Sequence, residues 1–490
     1  MVGLRGRDIA LGWPRGWHLV IPSPAGIWSA ARRDPELAIL VLIVLTLPLE
    51  LSKQLFPVQL LEISRLGMIA GFVALAVRST RRTLIPVPRS IVLAIIAVIA
   101  VAGLSLAATR WPNGVRIVAA TATYAVFALF VAQTVRDARH LRIITIALII
   151  SAAMVAAVLL AESVFDFYLW REGALNVLGR RNGTFADPNI ASRFLSLGLL
   201  AVLAAIAILR ELSGRAFIGL MATAAMIGAG QALTQSRAGW LVALVPLVVW
   251  VAFVRPWGRA LKPVAAALFG FALVLVVNAT VLVRVTSTAV DVGDTIGAIT
   301  DPNNPDNPNR PGQVGNGSVG PPLWMDPVID RMPLDSVRRY LARAGVAMYL
   351  DHPLWGVGIG GFQPQILGPY ADFIPADRIS APVSLPHTEL IRIAAETGIP
   401  GILTVILVAV ALARVVWSAR RAPPPVARAA GAITLGITSI FVASQFEGRL
   451  FEEPYLWLLI GLVAALPEVA RRAQPMVPGP LKNDDIVARV

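Results

Sequence analysis

His387 stands in PHTELIRIAAETGIPG, just ahead of a long apolar run, with Pro386 placed to end the preceding loop. Histidine suits proton abstraction near neutral pH, so this position makes it a candidate general base. Of the other histidines, His18 and His140 fall in basic segments and His352 directly precedes Pro353. Arg237, in QSRAGW, sits between two adjacent apolar runs, and Arg338, Arg339 and Arg343 recur along a stretch of helical periodicity. A guanidinium fork matches phosphate oxygens bidentately, so such arginines can hold a diphosphate. The residues alone leave plainer roles open. The histidine can cap a helix or sit in a loop. Arg237 can snorkel from a helix end. A basic amphipathic helix can simply bind anionic headgroups.

The elements that must position these groups are membrane spans. The 490 residues are 56% hydrophobic and 15% charged, with a mean hydropathy of +0.71. Soluble domains carry roughly 25% charged residues. The apolar residues are clumped into runs near the roughly 20 residues that a spanning helix needs. Twelve such runs are read, near 37–53, 62–78, 90–109, 115–135, 142–163, 189–209, 216–234, 238–254, 263–283, 388–413, 428–446 and 454–468. The expected fold is therefore all-α, a polytopic transmembrane helical bundle of about 12 spans.

Charge gives the bundle a direction. The net charge of +14 comes from 43 basic and 29 acidic residues. Basic residues in short loops mark the cytoplasmic side. With the N-terminus inside, the inside junctions carry Arg78, Arg81, Arg82 and Arg89, then Arg136, Arg139 and Arg142, then Arg210 and Arg215. Arg255, Arg259 and Lys262 follow, then Arg414, Arg420, Arg421 and Arg428, with Arg471, Arg472 and Lys482 in the tail. Both termini are expected to be cytoplasmic. The organisation is then a cytoplasmic segment at 1–36, transmembrane helices 1–9 over 37–283, a large extracytoplasmic loop over 284–387, helices 10–12 over 388–468, and a cytoplasmic tail at 469–490. The first span is expected to act as an uncleaved anchor, since no h-region with a small-residue cleavage site precedes it.

Within the large loop, 301–322 reads DPNNPDNPNRPGQVGNGSVGPP, a composition that cannot bury a core. It lacks the spacing and terminal glutamate of an EF-hand, so a flexible linker is expected there and no metal. From Pro333 to Leu350, Leu334, Val337, Leu341, Val346 and Met348 approximate helical spacing. An amphipathic helix at the outer membrane face is expected.

Several function classes drop out. The chain has no cysteine, which excludes disulfides, thiolate metal sites and cysteine nucleophiles. There is no Walker A motif, and GVGIGG at Gly356–Gly361 lacks a strand–helix context. No basic run is interleaved with stacking aromatics, so no nucleic acid is expected as a partner. A transporter or flippase is the competing class. Transporters often place charges near the midplane and show internal repeats. Here most spans are uncharged in their middles, and Arg392 and Glu396 are spaced to pair locally.

RNGTFADPNIAS (Arg181–Ser192), LTQSRAGW (Leu233–Trp240), RRYLARAGVAMYLDHPLWGVGIGGF (Arg338–Phe362) and His387 followed by GIPG at Gly398–Gly401 resemble the O-antigen ligase and O-antigen polymerase superfamily. The order agrees too, across roughly residues 180–465. The resemblance implies a GT-C-like membrane glycosyltransferase of the bacterial cytoplasmic (inner) membrane, with its active site facing the periplasm. Such a protein moves a glycan from an undecaprenyl-diphosphate carrier to an acceptor hydroxyl borne by a lipid or a glycan. It implies His387 as base and Arg237 with Arg338 on the diphosphate. Spacing back from Pro353 favours Arg338, with Arg339 as the fallback. Arg181, Asn189, Ser236 and Thr388 would support the site. The ligase signature has Asn, Ser or Gln after the histidine and a glycine ten residues on. Thr388 departs from it, while Gly398 stands at the glycine position. A single displacement would invert the anomeric carbon, and no carboxylate motif for a metal is evident, so a metal-independent reaction without cofactor is expected, with membrane lipids as further partners. Polymerase and protein-glycosylating action within the same superfamily stay open at this point.

Overall fold

Apolar runs become helices because a backbone without water must satisfy its N–H and C=O groups internally. The computed structural model describes residues 33–49, 63–169, 179–208, 212–253, 257–287, 336–375 and 387–474. The readings made for 1–32, 301–322 and 475–490 lie outside those residues. The helices are α1 (Pro35–Thr46), α2 (Ile63–Thr80), α3 (Arg89–Thr109), α4 (Pro112–Thr134), α5 (Ala138–Val164), α6 (Pro188–Ile208), α7 (Gly214–Thr234) and α8 (Arg237–Phe253). They continue as α9 (Trp257–Val277), α10 (Ala279–Ser287), α11 (Ser336–Asp351), α12 (Phe362–Ile366), α13 (Glu389–Ala419), α14 (Pro424–Glu447) and α15 (Pro454–Ala473). Each of the twelve expected spans contains a helix.

The protein is an all-helical, multi-pass membrane protein. Among the described residues, eight helices are long and apolar enough to cross a bilayer, or up to nine if the bent pair of α9 and α10 forms one span. That pair is a departure from the sequence reading, which ran one straight helix through 263–283. The axis turns by 108° after Val277. Asn278 explains the turn: its Oδ1 accepts from the Val281 N–H at 3.2 Å and caps a new helix.

Starts and stops follow local chemistry. Proline occupies the first turn of α1, α4, α14 and α15, where its missing N–H costs no hydrogen bond. Asp34, Asp137 and Ser213 cap α1, α5 and α7 through the N–H groups of Leu37, His140 and Ala216. Helix α6 is the hub. It packs on α5, α7, α8 and α14, and 94% of its spanning window is buried. Close approach relies on small residues: a Cβ on Gly228 of α7 would meet the Ala267 carbonyl oxygen of α9 at 1.9 Å. Outward faces carry Leu93, Leu104, Phe269, Leu403 and Val410, all exposed, as lipid contact requires.

The two ends differ in character. At one end Glu36 at the start of α1 meets Arg78 at the end of α2 (3.0 Å) and Arg136 after α4 (2.5 Å). These are the basic junctions. At the other end the Arg181 N–H donates to the Leu233 carbonyl at 3.1 Å. There too the Glu162 Oε2 accepts from the Gly183 N–H at 2.9 Å. The ends of α3, α5, α7 and α14 and the starts of α4, α6, α8, α13 and α15 gather here.

Candidate active site

The residues singled out by their chemistry lie at this second end. Ser236 is buried and caps α8, its Oγ accepting from the Gly239 N–H at 3.0 Å. That cap fixes Arg237 in the first turn, half-buried, with Nη2 donating to the Ser287 Oγ of α10 at 3.0 Å. The bend in the α9–α10 pair is therefore what brings a partner to Arg237.

Helix α11 appears where helical spacing placed it, and its apolar face is covered by protein. Leu341, Ala344 and Met348 pack with Phe362, Ile366 and Phe373 in a second core. Gly345 lies against Ile391 of α13, so closely that a Cβ would meet Ile391 Cγ2 at 2.5 Å. Further along both chains the Ile399 N–H donates to the Pro353 carbonyl at 2.9 Å. Helices α11 and α13 thus run in the same direction. Arg338 and Arg339, half-buried in the first turn of α11, stand at the same end of this pair as His387.

His387 is half-buried in the turn before α13, and Thr388 follows as its N-cap residue without a side-chain capping bond. Glu389 comes next and is fully buried. Its carboxylate accepts from Arg392 Nη2 at 2.7 Å, from the Arg449 N–H at 2.9 Å and from the Leu450 N–H at 3.0 Å. Arg392 also meets Glu396 at 3.0 Å, the local pair its spacing allowed, and Glu452 at 2.9 Å.

A second buried arginine ties this turn to the rest. Arg193 of α6 is 2% exposed and meets Glu447 at 2.9 Å and Glu453 at 3.1 Å. It also donates to the carbonyls of Arg449 at 3.2 Å and Gly448 at 3.3 Å. Its neighbour Ser192 bonds Gln231 of α7 and abuts Gly239, where a Cβ would strike Ser192 Oγ. One continuous frame therefore runs from the Arg237 turn through Ser192 and Arg193 to the 448–450 turn, and on through Glu389 to His387.

Arg180 and Arg181 take different places. Arg180 is buried, donating to the Asn189 Oδ1 at 2.6 Å and the Thr234 carbonyl at 3.0 Å. Burial pulls its guanidinium below the ordinary arginine value, against the opposing charge of Asp187. Arg181 pairs with Asp166 at 2.6 Å and lies over the Tyr168 ring at 4.3 Å. Asn189 thus bonds Arg180, and Arg181 is committed to the loop after α5.

The glycine-rich stretch has a structural use. Helix α13 breaks at Gly398, with φ 64° and ψ −151°. The carbonyls of Ala395 and Glu396, freed by the break, accept from the N–H groups of Val357 (2.8 Å) and Gly358 (3.0 Å). Gly356, at φ 66°, sits so close that a Cβ would meet the Ala395 carbonyl oxygen at 2.4 Å. Residues 353–361 are a backbone clamp on a broken helix.

Residues 221–406 match the family model described as O-antigen ligase. Over that segment the chain is similar to the O-antigen ligase family. No curated protein matches it. The matched segment begins within α7 and ends in the second half of α13, so Arg237, Arg338, Arg339, His387 and the Gly398 break all fall inside it. Arg193, Glu447, Arg449 and Glu453 fall outside it. Sequence reading passed over all four. Arg193 lies within an apolar span whose carboxylate partners are some 250 residues away. The available signal was a basic residue, Arg449, in a junction on the side where basic residues are scarce.

Proposed function

We propose that this protein is a glycosyltransferase that moves a glycan from an undecaprenyl-diphosphate carrier to an acceptor hydroxyl at the periplasmic face of the bacterial cytoplasmic membrane. The observation that carries the reading is the O-antigen ligase match over a segment holding Arg237, Arg338, Arg339 and His387. The frame joining the Arg237 turn to the His387 turn adds to it.

The chemistry is a single displacement. The acceptor oxygen attacks the anomeric carbon and the bond from that carbon to the diphosphate oxygen breaks. His387 takes the hydroxyl proton, and undecaprenyl diphosphate leaves with the bonding pair. Base catalysis supplies roughly 10²–10⁴-fold. Arginines preorganised on the leaving diphosphate supply electrostatic stabilisation, usually the larger contribution. Displacement in one step inverts the anomeric centre. No metal ion is required by this scheme.

The test is transfer in vitro from a lipid-diphosphate glycan to candidate acceptors. Wild-type protein should transfer, and His387→Ala, inserted normally, should not. Undiminished transfer by that variant would sink the assignment of the base. A second reading, polymerisation, is favoured by Thr388, which departs from the ligase signature. The same assay separates the two: a polymerase lengthens the glycan by repeats, and a ligase delivers one block.

A further inference from the structure

The turn between α14 and α15 holds an arginine that the scheme above does not use. Arg449 has φ 60°, in the left-handed region that non-glycine residues rarely enter. Two buried charges hold it there. The Glu389 carboxylate accepts its N–H at 2.9 Å, and the Arg193 guanidinium donates to its carbonyl at 3.2 Å. Glu389 is 0% exposed and Arg193 2%. The side chain of Arg449 is nonetheless exposed and forms no ion pair among the described residues.

The surrounding carboxylates do not need it. Glu389, Glu396 and Glu452 are each within 3.0 Å of Arg392. Glu447 and Glu453 are each within 3.1 Å of Arg193. A strained backbone, fixed from both sides by buried ionic groups, presents a free cation. It does so one residue contact from the helix start that carries His387, at the end where Arg237, Arg338 and Arg339 also lie.

We propose that Arg449 is a further binding residue for the lipid-linked diphosphate, gripping its phosphate oxygens beside His387. This rests on the glycosyl-transfer reading above. The base and the cation must lie within one substrate's span, because negative charge grows on the diphosphate as the hydroxyl is deprotonated. Glu389 sets that spacing: it is two residues from His387 and hydrogen-bonded to the Arg449 backbone. An anionic headgroup offers the same phosphate chemistry, so the experiment separates the two sources.

The probe is undecaprenyl diphosphate, binding to full-length protein in phosphatidylcholine nanodiscs with and without phosphatidylglycerol. Arg449→Gly removes the side chain and suits the left-handed backbone, so the variant should melt like wild type. Arg449→Asn, which also tolerates that conformation, serves if the glycine variant does not fold. Loss of charge-assisted bonds should weaken diphosphate binding about ten- to a hundredfold. Arg449→Lys should fall between, and phosphatidylglycerol association should not change. Wild-type binding by Arg449→Gly overturns the proposal, as does an equal loss of phosphatidylglycerol, which marks a headgroup anchor. A wild-type protein that neither binds the carrier nor transfers glycan overturns the functional reading itself, and this proposal with it.

Discussion

The Ile399 N–H donates to the Pro353 carbonyl at 2.9 Å, across the break in α13. The bond joins the segment after α11 to the helix that carries His387, and Gly398 makes it possible. A Cβ at Gly398 would meet the Pro353 oxygen at 2.5 Å, and the φ of 64° with ψ of −151° is a glycine conformation. Gly398→Ala should therefore cost about 1–3 kcal/mol from backbone strain, with the clash in addition. A lowered melting temperature in detergent and reduced glycan transfer are expected. An unchanged melting curve would mean that the clamp is not needed to hold the break.

Removing Arg193 should be more damaging than its place in an apolar helix implies. It is 2% exposed and faces Glu447 and Glu453. Breaking a buried pair strands the remaining charge, at about 3–5 kcal/mol. Arg193→Ala should fold poorly and melt early. Arg193→Ala combined with Glu447→Gln and Glu453→Gln should recover part of the loss, because no buried carboxylate is then left opposed to nothing. Thermal unfolding of the wild type, the single variant and the triple variant measures this. Equal melting of the single and triple variants would argue against stranded charge as the cause.

The spans were legible because hydrophobicity over about 20 residues is a local signal and a bilayer enforces it. The alternation of basic junctions put those after the second and fourth spans at one end, and Glu36 meets Arg78 and Arg136 there. The Arg392–Glu396 pair was legible because four residues is one helical turn. What escaped was set by tertiary partners. Nothing local marks Arg193 as different from a stray polar residue, and its role depends on a turn far along the chain. The bend after Val277 hides in a continuous apolar run, with Asn278 as its only sign. Helix α11 was read correctly from its spacing, but spacing could not tell a membrane-facing apolar stripe from one covered by Phe362 and Ile366.

His387→Ala should separate chemistry from folding. The side chain is half-buried in a turn, two residues before the buried Glu389 that anchors the network. Its loss should lower kcat by roughly 10²–10⁴-fold while leaving the melting temperature close to wild type. Because the neutral ring is the form that accepts a proton, transfer should also fall on acidification in the wild type. That acid limb should be absent from the residual activity of the variant. A residual activity with the same acid limb would assign the base elsewhere.

The shared direction of α11 and α13 yields a graded prediction. Gly345 packs on Ile391 and Pro353 bonds Ile399, so moving back along α11 moves toward His387. Arg338 lies about two turns before Gly345, or roughly 10 Å at 1.5 Å per residue. His387 lies about 6 Å back from Ile391 on the same scale. Adjacent helical positions point about 100° apart, so Arg338 and Arg339 cannot both face one ligand equally. If Arg338 grips the diphosphate, Arg338→Ala should raise the donor KM at least tenfold, and Arg338→Lys should restore only part because it loses the bidentate fork. Arg339→Ala should then have a small effect. Steady-state kinetics with a lipid-diphosphate donor decides the order. The reverse order would assign the contact to Arg339, and two silent variants would remove α11 from the site.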